Sequence, residues 1–356
     1  MKILDIFKDK YSFNQGPYII AEAGVNHEGD INIAKRLIDE AKLGGAHAIK
    51  FQTYKAETLA CKFSPSYWDT TKETTKSQYD LFKKYDNFWK EEFEQLKFHC
   101  DNVEIEFLST PFDIDSANFL NNLMDVFKIS SSDITNKPFI QHICNFGKPI
   151  ILSTGASYMH EIEEACRWID TDNNPLALLH CILNYPTANK NANLAMILDL
   201  KNKFPGKVIG YSDHTMPGDM KVLELASMLG AVILEKHFTH NKNLKGNDHY
   251  HAMDKDDLKV FIKNLDATSI LLGNHKKEPL VDEIPSRKNA RRSLVAAMNI
   301  SKGTIINNSH LTWKRPAHGI SPKHIDAVIG MESTEDIFED QPVKWSMLTG
   351  EGVQQP

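Results

Sequence analysis

The chain has 356 residues, 41% hydrophobic and 25% charged, the composition of an ordinary globular protein long enough for one large domain and a small one. Its net charge of −6 argues against a general nucleic-acid binder, although a few local lysines can still make a positive pocket for an anionic substrate. No run of about 18 apolar residues occurs, and the opening Met1-Lys2-Ile3-Leu4-Asp5 mixes charged and apolar residues too quickly for a leader, so neither a membrane span nor a signal peptide is expected. Cysteines at 61, 100, 144, 166 and 181 are odd in number and form no C-x-x-C pair, which fits a reducing cytoplasm.

Tyr18-Ile19-Ile20-Ala21-Glu22-Ala23 reads as a short buried strand ending in Gly24. Asp30 then N-caps a helix to about Leu43, with Ile33, Ala34, Leu37, Ile38 and Ala41 on its apolar face, and Gly44-Gly45 stops it. A second strand covers 46–53. Residues 54–87 break the rhythm, being polar, aromatic and too long for a normal connection, as a lid or binding loop would be. The aromatics within it, in Tyr67-Trp68-Asp69 and at Tyr79, read first as packing, with shaping a binding pocket as the alternative. A helix follows over 88–99. Further apolar segments lie at 105–110, 126–131, 149–154, 176–183, 207–212 and 231–237, and amphipathic stretches at 114–123, 138–146, 159–169, 194–203, 219–229 and 255–272 separate and follow them.

Eight strands alternating with eight helices predict a (β/α)8 TIM barrel, whose parallel strands, buried on both faces, appear as apolar runs. A doubly wound open sheet competes, but no G-x-G-x-x-G follows the first strand. The barrel domain is assigned to 1–280, with a linker and a small domain over 281–356. Composition changes after Gly273: 274–290, including His275, reads as a charged, proline-containing linker, and Arg291-Arg292-Ser293-Leu294-Val295 opens a β-rich module reaching about Thr349. Within it Lys302-Gly303-Thr304 reads as a turn, and Lys314-Arg315-Pro316 ends a short strand.

In such a barrel the chemistry sits at the carboxyl ends of the strands. Those ends carry Glu22, Lys50 with Gln52, Thr110, Lys128 with Ser131, Ser153 with Thr154, Tyr185, Ser212 with His214, and Glu235 with His237. A barrel built for stability alone has no need of a polar residue at every exit. His214 and His237 leave the adjacent seventh and eighth strands, where two neutral imidazoles can share a divalent cation; taken singly, each is more often a hydrogen-bonded core histidine. Asp213 and Glu235 are candidates for further ligands or for groups that orient them. Lys50 and Lys128, with Thr110, Ser131, Ser153 and Ser212, form a candidate phosphate or carboxylate cradle, the alternative for each lysine being an ion pair with a neighbouring acid. Glu22 is a candidate base or proton shuttle, or else a partner of Lys50. Phe51, Tyr211 and Phe238 read as packing.

Five motifs, in order, resemble the sialic acid synthase family: Ile20-Ala21-Glu22-Ala23-Gly24-Val25-Asn26-His27, Lys50-Phe51-Gln52-Thr53, Ser109-Thr110-Pro111-Phe112, Gly210-Tyr211-Ser212-Asp213-His214-Thr215 and Glu235-Lys236-His237-Phe238. Residues 291–322 are similar to that family's C-terminal antifreeze-like (SAF) domain. The resemblance implies a TIM barrel followed by a small β-rich SAF domain. It also implies an enzyme that condenses phosphoenolpyruvate with an N-acetylmannosamine-type sugar to give a nine-carbon 2-keto-3-deoxy acid and phosphate. By the same resemblance His214 and His237 bind a divalent metal, most commonly Mn2+, with Mg2+ or Co2+ as alternatives. Lys50, Thr110, Lys128, Ser131, Ser153 and Ser212 hold phosphoenolpyruvate, and Glu22 handles the proton chemistry. Gln52, Tyr185 and Asp248 meet the sugar, as does Arg315 across a domain-swapped homodimer. N-acetylneuraminate, legionaminate and pseudaminate come from closely related synthases that these motifs do not separate. A metal-dependent aldolase cleaving such acids is the competing enzyme. A non-catalytic sugar- or ice-binding SAF protein is a third reading, disfavoured because a pure binder has no use for the histidine pair and Glu22 together.

Overall fold

The computed structural model describes residues 2–8, 16–68, 70–71, 73–246, 248–274 and 276–350; Met1, Asp69 and His275, named above, lie outside them. The chain divides into two units, Met1–Gly273 and Asn274–Pro356.

In the first unit the apolar segments form β1 (Tyr18–Gly24), β2 (Ala48–Thr53), β3 (Glu106–Pro111), β4 (Phe127–Ile129), β5 (Ile150–Ser153), β6 (Leu176–Cys181), β7 (Val208–Asp213) and β8 (Ile233–His237). They make one sheet in the order β3-β2-β1-β8-β7-β6-β5-β4, every hydrogen-bonded pair parallel, and β3 and β4 at its two ends lie against each other to close the (β/α)8 barrel. The helices fall between the strands as their periodicity predicts. The one over Ile31–Gly44 starts where the Asp30 carboxylate accepts from Asn32 N at 2.7 Å and Ile33 N at 3.3 Å, and ends at Gly45, whose φ of +99° suits a residue without Cβ.

Strand periodicity sorts the side chains into two cores and one polar layer. Ile19, Ala21, Ile49, Phe51, Leu178, Tyr211 and Leu234 point outward and pack under the helices. Tyr18, Ile20, Ala48, Leu108, Val126, Ile151, Ala177, Leu179 and Ile233 point inward and fill the amino end of the barrel, joined by Ile3 and Ile6. Two residues further along several of these strands the inward set turns polar, at Glu22, Lys50, Thr110, Lys128, Ser153 and Glu235. Gly210 is the inward residue of β7 one step before Ser212. A Cβ there would sit 2.5 Å from the Ile233 carbonyl oxygen and closer still to Leu179 Cδ2, so only glycine lets β7 run this close to its neighbours.

The long segment after β2 carries short helices at Ala56–Leu59 and Gln78–Tyr85, the second N-capped by Ser77. Between them the buried Trp68 indole N–H donates to Glu73 O at 3.2 Å and Thr75 O at 3.1 Å, fixing the loop on itself.

In the second unit part of the expected linker is regular: a 3-10 turn at Val281–Glu283 leads into a helix over Ile284–Ala290. Its local signals are Pro285 in the first turn, where a missing N–H costs nothing, and Arg287 and Lys288 in the last turn, where they face the negative end of the helix dipole. β9 (Ser293–Ala296) pairs antiparallel with β10 (Leu311–Lys314), and β11 (Glu332–Ser333) with β12 (Leu348–Thr349), around a core that includes Leu294, Ile300, Ile306, Ile320 and Val343. Among the described residues no helix is long and apolar enough to cross a membrane.

Candidate active site

Parallel register puts the polar strand ends at one level: Glu22 lies beside both Lys50 and His237, Gln52 beside Thr110, and Ser212 beside Glu235. Every barrel residue of the expected site except Asp248 lines a single cavity there, together with Cys181 and Glu235. Asp248 lines an outer cavity that shares Gln52, Tyr185 and His237 with the inner one. Arg315 is exposed in the second unit, directly after β10.

Two lysines and two carboxylates dominate the inner cavity. Lys50 Nζ forms an ion pair with Glu22 Oε2, donates to Thr110 Oγ1 at 3.1 Å and lies 3.7 Å from Glu235 Oε1. Lys128 Nζ lies 3.6 Å from the same Glu235 oxygen, which also accepts from Ser212 Oγ at 3.0 Å. Lys50 and Lys128 are only 3% and 4% exposed. Taking such charges out of water costs several kcal/mol each, so the acids beside them are what keep them ionised.

The two acids respond differently. Burial pushes the Glu22 carboxyl up to about 7, and Lys50 only partly offsets it. Burial would raise Glu235 as well, but Lys128 and Lys50 together hold it below the usual carboxylate value. Burial also lowers Lys128, whereas Glu22 and Glu235 outweigh burial at Lys50 and raise it. The outcome is one carboxyl able to exchange a proton near neutrality beside one that stays charged, the division of labour that acid–base sites use. The Ser153 hydroxyl and Glu235 Oε2 are buried without a hydrogen-bond partner among the described residues, so the cavity holds unsatisfied polar groups that a ligand would satisfy. Ser131 Oγ accepts from Gly155 N at 2.8 Å, which ties the exit of β4 to that of β5, and Gln52 Nε2 donates to Glu22 Oε1 at 3.2 Å.

His214 and His237 line the same cavity as the lysines. Their ring centroids lie 5.4 Å apart, and burial lowers the pKa of both, His214 to about 4 and His237 well below the ordinary imidazole value, so both are neutral. His214 Nδ1 is 2.7 Å from the Ile182 carbonyl oxygen; donation there fixes the tautomer and leaves Nε2 with its lone pair. Asp213, beside it in sequence, is committed elsewhere. Its oxygens accept from Tyr211 Oη at 2.9 Å, Thr215 N at 2.9 Å and Lys236 Nζ at 2.6 Å, so it buttresses the ends of β7 and β8. Phe51, Tyr211 and Phe238 are core residues.

Sequence reasoning missed His251. Its ring is fully buried, with its centroid 5.0 Å from that of His237, and Asp248 Oδ2 lies 3.7 Å from His237 Nδ1. One donor atom from each of His237, Asp248 and His251 can be chosen so that all lie within 4.8 Å of one another. Two neutral imidazoles and a carboxylate at this spacing fit a divalent cation. The available signal was the run Asp248-His249-Tyr250-His251, in which a turn can bring residues three apart, Asp248 and His251, to one side. The outer cavity has an aromatic wall, to which the 54–87 segment contributes Tyr54, Tyr67, Trp68, Phe82 and Tyr85, so Tyr67 and Trp68, read first as packing, line a cavity as the alternative reading had it.

Comparison with known proteins adds independent findings. The NeuB family profile matches residues 37–277, and the SAF domain profile matches 291–349. The chain is 38% identical over 333 residues to the N,N'-diacetyllegionaminic acid synthase of Campylobacter jejuni, covering 92% of this chain and 98% of that one. It is 32% identical to the N-acetylneuraminate-9-phosphate synthase of Drosophila melanogaster, covering 92% and 94% of the two chains. The crystal structure of the N-acetylneuraminic acid (sialic acid) synthetase of Leptospira borgpetersenii, in complex with citrate, superposes with a TM-score of 0.69 at 36% identity, over 77% of this chain and 90% of that one.

Proposed function

The chain belongs to the NeuB family and carries a SAF domain, and from that premise we propose that it condenses phosphoenolpyruvate with an acetamido sugar of the N-acetylmannosamine type, giving a nine-carbon 2-keto-3-deoxy acid and phosphate. The observation that carries this reading is the buried set of two lysines, one elevated and one depressed carboxyl, and the unsatisfied Ser153 hydroxyl at the barrel's carboxyl end, directly beside a histidine cluster.

Lys50 and Lys128 hold the phosphate of phosphoenolpyruvate, with the hydroxyls of Thr110, Ser131, Ser153 and Ser212 as directed donors. Gln52, Tyr185 and Asp248 orient the open-chain sugar, whose apolar substituents face the aromatic wall of the outer cavity. His214 and His237 would hold a divalent cation, Mn2+ being the family's usual choice, which would supply Lewis acidity to the sugar's aldehyde carbonyl. Carbon 3 of phosphoenolpyruvate bonds to the aldehyde carbon, leaving positive charge at carbon 2 that the ionised Glu235 opposes at short range. Glu22, in its ionised form, takes a proton from the water that adds at carbon 2, and the tetrahedral product expels phosphate. A homodimer in which Arg315 of one protomer serves the acceptor of its partner belongs to the same proposal, by resemblance alone. A cytoplasmic location fits five free cysteines, four of them buried.

The test is incubation of the purified protein with phosphoenolpyruvate, Mn2+ and a panel of acetamido sugars, read by phosphate release and by the mass of the product. Release of one phosphate per nine-carbon acid is expected. Cleavage of such acids to pyruvate without phosphate chemistry would assign the site to an aldolase instead.

A further inference from the structure

The condensation is the same whether carbon 6 of the sugar, which becomes carbon 9 of the acid, carries a hydrogen, a hydroxyl or a phosphate. The Drosophila relative is named for a 9-phosphate product and the Campylobacter one is not. The two cavities of this chain differ in charge. Two lysines line the inner one. The outer one is lined by the carboxylates Glu28 and Asp248 and, among the described residues, by no lysine or arginine. Lys84, whose ammonium lies 4.9 Å from the Tyr85 ring centroid, is 3.3 Å from Glu73 Oε2, and Lys245 beside Gly246 is exposed; neither lines the cavity. Gln52, Tyr185 and His237 are common to both cavities, whereas Glu28, Tyr85, Gly246 and His249 line the outer one only, away from the cradle where the aldehyde reacts.

We propose that Glu28 is a specificity-determining residue: its carboxylate, with that of Asp248, makes the outer cavity a site for an uncharged sugar and rejects one phosphorylated at carbon 6. The proposal rests on the synthase reading for the nature of the ligand. The backbone holds Glu28 in place. It has a left-handed φ of +51°, in a turn closed by its own N–H donating to Val25 O at 2.9 Å. Gly29 N donates to His27 Nδ1 at 3.1 Å, and the His27 ring stacks on Phe88 with centroids 4.2 Å apart. Asn26 Nδ2 donates to Phe238 O at 2.9 Å and Asp248 O at 3.4 Å, which ties the turn to the segment carrying the second carboxylate. The imidazole beside Glu28 does not cancel its charge. His249 Nε2 lies 3.5 Å from Glu28 Oε1 and His249 Nδ1 lies 2.8 Å from Thr239 Oγ1, but burial outweighs Glu28 and holds this ring below the ordinary imidazole value, so it is neutral. A phosphate entering the outer cavity therefore meets like charge. Because the Glu28 side chain is 40% exposed, that repulsion is partly screened and depends on salt.

The test compares two open-chain probes that cannot react, the alditols of N-acetylmannosamine and of N-acetylmannosamine 6-phosphate. Their binding to the full chain is read by calorimetry with phosphoenolpyruvate and Mn2+ present, so that the lysine cradle is already filled. At low salt the uncharged alditol is expected to bind at least ~10-fold more tightly. Glu28→Gln keeps the shape and removes the charge, and should reduce that ratio about threefold; Glu28→Lys reverses the charge and should reduce it at least ~10-fold. Glu, Gln and Lys meet the left-handed backbone alike, so both variants keep the turn. Raising the salt to about 0.5 M should narrow the ratio in the unmodified protein, which a purely steric filter would not show. Equal or tighter binding of the phosphorylated alditol overturns the proposal, as does failure of both alditols to bind or a smaller change in Glu28→Lys. Synthesis of a nine-carbon acid from the 6-phosphate at the rate of the unphosphorylated sugar would keep the proposed reaction and sink the filter. A Glu28-dependent preference for the uncharged alditol in a protein that makes no nine-carbon acid would do the reverse.

Discussion

Glu22 offers the sharpest test of the proposed chemistry. Its carboxyl is buried, paired with Lys50, and raised from 4.5 to about 7. If its ionised form is the base, activity rises with pH as the proton leaves. A group titrating near 7 is roughly one-tenth ionised at pH 6 and roughly nine-tenths at pH 8, so kcat should climb about tenfold across that interval. A carboxyl at its ordinary value would be ionised throughout and give a flat profile there. The assay is initial phosphate release at saturating phosphoenolpyruvate, sugar and Mn2+ from pH 5.5 to 8.5, on the unmodified protein and on Glu22→Gln. Gln keeps the shape and loses the base, so kcat should fall by about 10²–10⁴ and the rising limb should vanish. A substrate phosphate also titrates near pH 6, and the variant separates the two origins. A limb that persists unchanged in Glu22→Gln would refute Glu22 as the base. The same shift has a stability consequence. Between its unfolded and folded values this carboxyl binds more protons in the native state, so its contribution favours folding below pH 4.5 and is lost as pH rises towards 7.

Lys128→Met should raise the KM for phosphoenolpyruvate by about 30-fold or more, the equivalent of roughly 2 kcal/mol for a truncated buried charge contact, and an unchanged KM would take Lys128 out of the cradle. Gly210→Ala should cost about 1–3 kcal/mol of stability, a drop of several degrees in Tm, because its Cβ meets the Ile233 carbonyl at 2.5 Å; calorimetry with no shift would mean β7 can move aside freely. Tyr67→Ala alters an exposed residue of the outer wall and should raise the KM for the sugar while leaving that for phosphoenolpyruvate within about twofold; a change confined to phosphoenolpyruvate would contradict the division into two cavities. Chelation followed by added Mn2+ should abolish and then restore phosphate release, and full turnover by metal-free protein would remove the cation from the reaction.

Much of this was legible along the chain because the signals are local. An apolar run that must be buried on both faces marks a parallel strand wherever it lies, and Asp30 and Gly45 mark a helix start and stop through their own backbone bonds. The inward polar residues follow from period two once the strands are found, which is why Glu22, Lys50, Thr110, Lys128, Ser153 and His237 could be named from spacing. What the linear order could not decide is everything that depends on which side chains converge. Glu22 and Glu235 are both carboxylates at strand ends, and only their unequal shares of Lys50 and Lys128 drive their proton affinities apart. Asp213, in the same motif as His214, is turned away by its bonds to Tyr211, Thr215 and Lys236. The helix inside the expected linker was missed because charge and proline mask a short helix whose start Pro285 favours. His251 was overlooked for the converse reason: it follows no strand and completes no local pattern, and its meaning lies in a neighbour, His237, brought to it by the closing turn of the barrel.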